Sequence, residues 1–488
     1  MTTIRRKRIK TNDVKRRWIT LVIFTASCLS ILLCIVCLLA WRGTRNRSNL
    51  QTSSDVHGLQ VSSTGRLGQH PQVAKTKTRH HQSAKQKNLH QVDGLLPMRR
   101  ALEDDNFDPL VTEMARQILG ASMNLVNIYK SHSFSITDES YSGVVAEFCP
   151  LNFTAQKENP PSLPMFKDVI GMSPQCNNQN NLHVDLKEAV DLVREFDAEN
   201  TDTLPTILDL KGVVFHESRC GSTLAANSMM ALNPEKHRVY SESSPPPTAF
   251  KICGEDYSEC SPKASANLLK DVIYIMGRSN DPKEQNLFFK FQSVTTRNLE
   301  SFRLAFPTTP WIFLYRNPIE VMMSQLDVPH TSQANCVRSK HSSPLTKKFI
   351  HSSQYQFKDL TDEEFCAIHL ATICESALRN LEDADGIGMA IKYAPELVYA
   401  FLDTVFPTHF HTLVDEDGKV RVKKIAGTYS KNRDMHIAEN QFRSDSEEKE
   451  RNAPQSMKDA ANEFLGPVHR QLDESTYNIR RPSAEEEK

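Results

Sequence analysis

The sequence predicts an α/β domain in which helices cover both faces of a central, mostly parallel sheet, so that the domain has three layers. Between residues 206 and 470, short apolar segments alternate with segments of helical spacing, as consecutive β-α units do. The apolar segments are unbroken, as expected of strands that are buried on both faces of a parallel sheet. The composition before residue 206 differs and predicts a single transmembrane helix, a disordered stem and a helical preface ahead of this domain.

The N-terminal segments predict the membrane-spanning helix. Residues 1–17 carry eight Lys or Arg against one Asp, which favours a cytoplasmic tail. Residues 18–41 have a tryptophan at each end and 22 uncharged residues between them, and a helix of that length spans about 33 Å, enough for a bilayer core. The alternative is a cleaved signal peptide, whose apolar region is shorter and ends in small residues. A signal anchor leaves the rest of the chain in the lumen of the secretory pathway or outside the cell.

Residues 42–95 predict a flexible stem. They contain few large apolar side chains and many Ser, Gln, His and Lys residues. Such a segment cannot bury enough apolar area to offset the entropy of ordering. It is interpreted as a solvated spacer, with contact to anionic glycans as the alternative.

Residues 96–205 predict a helical region that packs on the main domain. Apolar residues recur at helical spacing in residues 108–130 and again in residues 184–199, where Asp185 is a candidate N-cap. No catalytic motif lies in this region. The sequence NFT at Asn152 is an acceptor for N-glycosylation in a lumenal region.

The cysteines fit an oxidising compartment. Of the eleven cysteines, eight lie beyond the predicted anchor, where disulfides are permitted. Cys253 and Cys260 are close enough in sequence to close a short loop, and Cys336 has Cys366 and Cys374 as alternative partners. The competing interpretation is a set of buried free thiols. No cluster with the spacing of a zinc site is present in the sequence.

The strand–turn–helix segment VVFHESRCGSTLAANSMMA predicts an anion site. Gly221 lets the backbone approach an anion, and the helix that follows presents free N–H groups at its start. Ser222 and Thr223 add hydroxyl donors, and Arg219 adds a permanent charge whose planar fork suits phosphate or sulfate oxygens. The lysine that precedes this Ser or Thr in nucleotide hydrolases is absent, which favours an anion that needs no metal. An ordinary strand–glycine–helix turn is the alternative.

A second segment, WIFLYRNPIEVMMSQL, carries another candidate anion site. Its apolar strand ends at Arg316, and Asn317 and Pro318 then begin a helix, as a cap and a first-turn proline do. Ser324 follows Arg316 by eight residues, two turns into that helix. Because ligands of α/β domains lie at the carboxyl ends of strands, Arg316 and Ser324 are expected to meet one phosphate there.

Together these two segments resemble the sulfotransferase family, and they are closest in style to its Golgi type II carbohydrate members. The first is similar to the R-x-G-[ST]-[ST] loop for the 5′-phosphosulfate, and the second to the R-[DN]-P-x-x-x-x-x-S element for the 3′-phosphate. The segment AIKYAPEL, which begins at Ala390, is similar to a late tyrosine segment of the family. The resemblance covers about residues 206–440. It implies a P-loop-type fold for the domain of residues 206–470, with residues 471–488 as a loose tail.

The resemblance also implies a co-substrate, 3′-phosphoadenosine 5′-phosphosulfate, and no metal. Arg219 would contact the bridging and sulfuryl oxygens, and Arg316 and Ser324 would hold the 3′-phosphate. The rest of the cofactor-binding loop is formed by Cys220, Gly221, Ser222 and Thr223. A late basic loop of the family suggests Lys431 or Arg433 as further 3′-phosphate ligands, with a glycine turn and solvated charges as the alternative.

A base must accept the proton of the acceptor hydroxyl. Cytosolic members of the family use a histidine where this sequence has Gln292, whereas carbohydrate members carry a glutamate beyond the loop, a place that Glu242 matches. Glu242 is therefore the first candidate, with a surface carboxylate as the alternative. His216 is the second candidate unless it is a structural histidine, and Lys290 is expected near the sulfuryl group unless it is a solvated charge.

The sequence thus predicts a lumenal sulfotransferase, anchored in the Golgi membrane, that acts on a hydroxyl or amine acceptor such as a glycan. The formal net charge is zero, so no overall field directs the protein to nucleic acid. The alternatives are a P-loop kinase or other nucleotide-binding enzyme, and a non-catalytic lumenal binding protein with the same fold. No segment identifies the acceptor.

Overall fold

The computed structural model describes most of the chain beyond the predicted stem, in residues 95–177, 180–327, 334–353, 355–383, 386–394, 397–428 and 445–479. The predicted cytoplasmic tail, anchor and nearly all of the stem lie outside the described residues, and so do Lys431 and Arg433. Within the described ranges, no helix is long and apolar enough to cross a membrane.

The strands of the described residues form three sheets. They are β1 Asn124–Ile136, β2 Tyr141–Cys149, β3 Leu182–Asp185, β4 Thr206–Ile207, β5 Asp209–His216, β6 His237–Ser241, β7 Arg278–Ser279, β8 Asn286–Lys290, β9 Trp311–Tyr315 and β10 Gly388–Lys392. The main sheet has the order β10-β9-β5-β8-β6, and each of its four pairings is parallel. A second, antiparallel sheet has the order β1-β2-β3, and β4 pairs with β7.

The α-helices connect and cover these strands. They are α1 Met98–Glu103, α2 Pro109–Leu119, α3 Thr154–Glu158, α4 Phe166–Gly171, α5 Leu186–Glu199, α6 Ser222–Leu232, α7 Pro245–Ile252, α8 Pro262–Met276, α9 Leu299–Ala305, α10 Pro318–Leu326, α11 Asn335–Arg338, α12 Pro344–Ser352, α13 Asp362–Glu382, α14 Leu397–Ala400, α15 Glu416–Ala426, α16 Ser446–Asn452, α17 Gln455–Ala460 and α18 Gly466–Glu474. Two wider helical turns follow α14 and α17, at Phe401–His409 and Ala461–Leu465. Short 3-10 turns lie at Pro160–Ser162, Ser293–Asn298, Ser339–His341 and Phe357–Asp359.

Two hydrophobic cores lie on the two faces of the main sheet. Successive side chains of a strand point to opposite faces, so Val213 and Phe215 of β5 enter the larger core, while Val214 enters the smaller one. Helices α8, α9 and α13 contribute to the larger core, and α6 and α15 to the smaller one. The prediction of an α/β domain with a parallel sheet between helical layers is confirmed.

The region before the main sheet is only partly helical. The prediction of helix is correct for α2 and α5, and the Asp185 side chain caps α5 by accepting the backbone N–H groups of Lys187 and Glu188 at 2.9 and 3.0 Å. The prediction is wrong for residues 124–130, which belong to β1. The apolar side chains there gain burial by pairing with β2 rather than by continuing α2, which ends at Leu119.

Three disulfides join cysteines of the described residues. Cys253 pairs with Cys260, as the sequence predicted, and Cys336 pairs with Cys366 rather than with Cys374. A third disulfide, which the sequence did not indicate, joins Cys149 and Cys176. Among the described residues, Cys220 and Cys374 are free and buried.

Candidate active site

The order of the parallel strands brings the predicted site residues to one edge of the sheet. Arg316 directly follows β9, and the anion loop, defined here as residues 217–221, directly follows the neighbouring β5. Lys290 ends β8 on the other side of β5, and Glu242 follows β6 beyond it. Tyr393 follows β10 at the opposite end of the row. The carboxyl edge therefore has the candidate anion-binding groups at its centre and the candidate base to one side.

The anion loop turns sharply through left-handed backbone conformations. The φ angles are 98° at Ser218, 53° at Arg219 and 81° at Gly221. Such conformations are costly for residues other than glycine, and they concentrate at ligand-binding sites. A Cβ on Gly221 would lie 2.5 Å from the Tyr393 ring and 3.3 Å from the Leu397 side chain. Both the backbone angle and the packed ring therefore require glycine at position 221.

The loop leads directly into α6, whose first turn has the donors that an anion needs. Gly221 is the N-cap and has no side chain to bond the first N–H groups of the helix, which begins with Ser222 and Thr223. The Nε of Arg219 is buried without a hydrogen-bond partner. Cys220 faces the sheet instead: its thiol contacts the Leu314 carbonyl at 3.2 Å, and burial raises its pKa to about 12.

Arg316 is surrounded by polar groups from two helices. Its Nε donates to Glu320 on α10 at 2.5 Å, and its Nη2 donates to Asp445 and Ser446 at 3.1 Å each. The guanidinium carbon lies 4.7 Å from the centre of the Tyr393 ring. The Arg316 guanidinium is thus held by carboxylates of this chain, Glu320 and Asp445.

Ser324 joins the same group through a lysine that the sequence analysis missed. Lys449 on α16 donates to the Ser324 hydroxyl at 2.7 Å, and it pairs with Asp445 at 2.5 Å. We call these residues the Arg316 cluster, and its members are Arg316, Glu320, Ser324, Asp445, Ser446 and Lys449. The spacing of Asp445 and Lys449 is that of a helical ion pair, and nothing in it indicates a partner 125 residues earlier.

Tyr393 lies next to both candidate anion-binding regions. Its ring packs against Gly221, and the Arg316 guanidinium lies over the same ring. The Arg316 backbone N–H also donates to Glu217, the first residue of the anion loop, at 3.1 Å. The loop and the Arg316 cluster are therefore direct neighbours.

Glu242, Lys290 and His216 form one group at the other side of the loop. The buried Lys290 ammonium contacts the Glu242 carboxylate, and His216 Nε2 lies 3.8 Å from that carboxylate. His216 Nδ1 accepts the Ser218 N–H at 3.1 Å, so Nε2 carries the proton and donates to the Phe291 carbonyl at 3.0 Å. Because backbone groups engage both ring nitrogens, His216 is suited to a structural role.

The surroundings of Glu242 favour its charged form. Burial raises the pKa of its carboxyl group, but the charge and the hydrogen bond of Lys290, with smaller contributions from other basic groups nearby, together outweigh burial, so the pKa lies below the ordinary value. The carboxylate is therefore ionised at neutral pH. Its backbone has a φ of 54°, and its N–H donates to the Lys290 carbonyl at 2.7 Å, which fixes where the side chain leaves the strand.

Asn152, the predicted glycosylation site, is exposed. Its side-chain oxygen accepts the backbone N–H of Thr154, the third residue of the acceptor sequence, at 2.9 Å. The side chain therefore lies at the protein surface, where an added glycan meets no steric barrier from burial.

Behind the anion loop lies a buried group that the sequence analysis did not identify. Glu217, Cys374 and His469 bring a carboxylate oxygen, a sulfur and a ring nitrogen within 4.8 Å of one another. These residue types also bind metals. The three residues come from distant parts of the chain, so no local spacing indicates them.

A scan against protein-family models and a search of curated proteins both found no match to this chain. Its function is therefore argued from the geometry of the carboxyl edge.

Proposed function

We propose that this protein is a membrane-anchored lumenal sulfotransferase with a P-loop-type domain. It binds 3′-phosphoadenosine 5′-phosphosulfate along the carboxyl edge and transfers the sulfuryl group to a hydroxyl or amine, with a glycan as the acceptor class. One observation carries the proposal. Two arginine-containing anion regions follow adjacent parallel strands, and one aromatic ring, Tyr393, contacts both. A nucleotide with phosphate groups at its two ends fits such a pair of sites.

The residues at each end suit the groups of this co-substrate. Arg219 has a buried N–H without a partner, and the start of α6 adds backbone donors, as the 5′ end requires. For the 3′-phosphate, Lys449 adds a cationic group that donates to Ser324, in the region that also contains Arg316. Lys431 and Arg433 stay candidates for the same phosphate. When bound, the co-substrate supplies an activated sulfuryl group. The protein supplies position and charge.

The Arg316 cluster must rearrange when it binds a phosphate. Asp445 uses the same Nη2 group of Arg316 that a phosphate oxygen needs, and Lys449 is paired with Asp445 as well. A phosphate oxygen bonded to the same Nη2 would lie next to the Asp445 carboxylate, and the two negative groups would repel each other. We therefore infer that the 3′-phosphate displaces Asp445 and takes over its partners.

Glu242 is assigned as the base. Its ionised carboxylate accepts the proton of the acceptor hydroxyl, and Lys290 orients that carboxylate through their direct contact. His216 supports the group through its backbone contacts and does not itself exchange a proton. Catalysis then depends on holding the acceptor oxygen beside Glu242 while Arg219 stabilises the charge that develops at the other end.

The alternative of a P-loop kinase is less well supported. Such enzymes place a lysine directly before the Ser or Thr of the loop, where this chain has Gly221 with the Tyr393 ring packed against it. A lysine side chain has no room there. A non-catalytic binding protein would share the nucleotide site, so only a test of transfer distinguishes it from an enzyme.

The proposal is tested by nucleotide binding to the full-length protein. We expect 3′-phosphoadenosine 5′-phosphate to bind in the presence of a chelator of divalent metals. Binding of ATP that requires magnesium, without binding of this nucleotide, would overturn the proposal. Transfer from a radiolabelled sulfate donor to panels of glycans, peptides and lipids then identifies the acceptor class.

A further inference from the structure

Glu217 is a buried carboxylate that links the two anion regions. It is the first residue after β5 and is fully buried. Its backbone N–H donates to the carbonyl of Leu314 in β9 at 2.9 Å. Its side-chain Oε2 accepts the backbone N–H of Arg316 at 3.1 Å. Glu217 thus ties the start of the anion loop to the end of the strand that carries Arg316.

The other carboxylate oxygen of Glu217 contacts the C-terminal helix α18. His469 Nε2 lies 3.0 Å from Glu217 Oε1, and only 3% of the His469 surface is exposed. The Cys374 sulfur lies 3.6 Å from the same nitrogen. Burial, followed by the nearby Glu217 charge, holds the pKa of the Cys374 thiol well above its ordinary value, so the thiol stays protonated. His469 also contacts the edge of the Tyr315 ring in β9.

This arrangement has a physical consequence. A buried carboxylate is costly unless donors compensate it, and a compensated network fixes the relative positions of its members. Here the donors come from the backbone of Arg316 and the side chain of His469. The network therefore opposes any separation of the anion loop, the end of β9 and α18.

We propose that Glu217 and His469 form a positioning pair that holds the anion loop and Arg316 in register for one nucleotide. The inference rests on the proposed function, since it concerns the same site. Neither residue is assigned a contact with the nucleotide. They act through the backbone of Arg316 and through the first residue of the loop.

The test compares Glu217→Ala with Glu217→Gln in the full-length protein. Alanine leaves the Arg316 N–H buried without an acceptor, so the Kd for 3′-phosphoadenosine 5′-phosphate should rise about tenfold or more. Glutamine still offers an oxygen to that N–H, so its Kd should stay within about threefold of the wild type. Once an acceptor that receives the sulfuryl group is identified, the KM for the sulfate donor should rise in Glu217→Ala, while the KM for that acceptor should stay unchanged.

Glu284 offers a matched control. It is also buried and charge-paired, with Arg238, but it lies just before β8, at the amino edge of the sheet. Glu284→Ala should lower the melting temperature as Glu217→Ala does, but leave the Kd of the folded protein unchanged. His469→Leu should weaken binding, and His469→Gln, which keeps a donor, should restore it.

The outcomes separate this inference from the proposed function. If the wild-type protein does not bind the nucleotide, the proposed function fails. If the wild type binds and Glu217→Ala binds equally well, the positioning pair is wrong. Zinc bound one to one in the purified protein and lost in Cys374→Ser would also overturn it, because the cluster would then be a metal centre.

Discussion

The anion loop after β5 and the Arg316 cluster after β9 are built alike, yet their arginines have opposite surroundings. Each arginine follows a buried parallel strand and precedes a helix at the same edge. The Nε of Arg219 has no partner, whereas Arg316 is bonded to Glu320, Asp445 and Ser446. If both regions hold a phosphate of one nucleotide, as we propose, the Arg219 side is open to its anion, whereas at Arg316 the anion has to displace Asp445.

The largest effect, on the transfer rate, is expected at Glu242, which belongs to neither anion region. Glu242→Gln removes the proposed base, so the transfer rate should fall by about 10²- to 10⁴-fold. Both anion regions remain intact, so nucleotide affinity should not change. The rate is measured with a labelled sulfate donor, and the affinity by calorimetry. Unchanged transfer would remove Glu242 from the reaction and leave the binding sites as proposed.

The acid side of the pH profile tests the same residue. The pKa of Glu242 lies below its ordinary value of 4.5, so the wild-type rate should hold as the pH falls to that value and decline only below it. A decline centred between pH 6 and 7, the range of an ordinary histidine, would instead point to His216.

The next largest effect concerns Gly221, which the Tyr393 ring covers. In Gly221→Ala the new methyl group would meet the Tyr393 ring at 2.5 Å, and φ is 81°. We expect nucleotide affinity to fall about 100-fold or more, since ring and loop must move apart. Gly386→Ala is the control, because Gly386 has a similar φ of 84° with nothing within 4 Å of its Cβ position. Equal losses in both variants would mean that backbone strain, not the ring, requires glycine.

Replacing each arginine by alanine tests the contrast through stability. Arg316→Ala leaves the buried Glu320 carboxylate without its charge partner and should reduce the free energy of unfolding by about 3 kcal/mol. Arg219→Ala should reduce it by less than about 1 kcal/mol, because the Nε of Arg219 has no partner. Both variants should lose nucleotide affinity. Chemical denaturation measures the stability of the two variants, and calorimetry measures their nucleotide affinity. Equal losses of stability in the two variants would contradict the contrast between the two arginines.

The smallest effect is expected at Asp445, and it has the opposite sign. Asp445→Asn removes the carboxylate that competes with a phosphate for Arg316, so nucleotide affinity should increase by about three- to tenfold. Glu448→Gln is the control, because it removes the same charge from an exposed position on α16. Higher nucleotide affinity in both variants would indicate a general charge effect. Unchanged affinity in Asp445→Asn would contradict the proposal that a phosphate displaces Asp445 from Arg316.

Local signals allowed much of the fold to be predicted. Helices α6 and α10 begin where the sequence placed them, because a glycine and a capped Asn-Pro turn determine their starts. The Asn317 side chain accepts the N–H groups of Ile319 and Glu320, as a cap does. Residues 124–130 form part of strand β1 instead of the predicted helix, because their pairing with β2 is a tertiary contact that helical spacing does not report.

The candidate site divides in the same way. Arg219 and Arg316 could be found because each follows an apolar strand at a recognisable turn. Lys449 and His469 could not, because their partners Ser324 and Glu217 lie 125 and 252 residues away in sequence. Only the fold brings such residues together.

Comparing three ligands shows whether one nucleotide joins the two anion regions. The affinity of the full-length protein is measured by calorimetry for adenosine 3′,5′-bisphosphate, adenosine 5′-monophosphate and adenosine 3′-monophosphate, without magnesium. The bisphosphate should bind about 100-fold or more tightly than either monophosphate, since only it reaches both arginines. Equal affinity for the bisphosphate and either monophosphate would contradict that expectation.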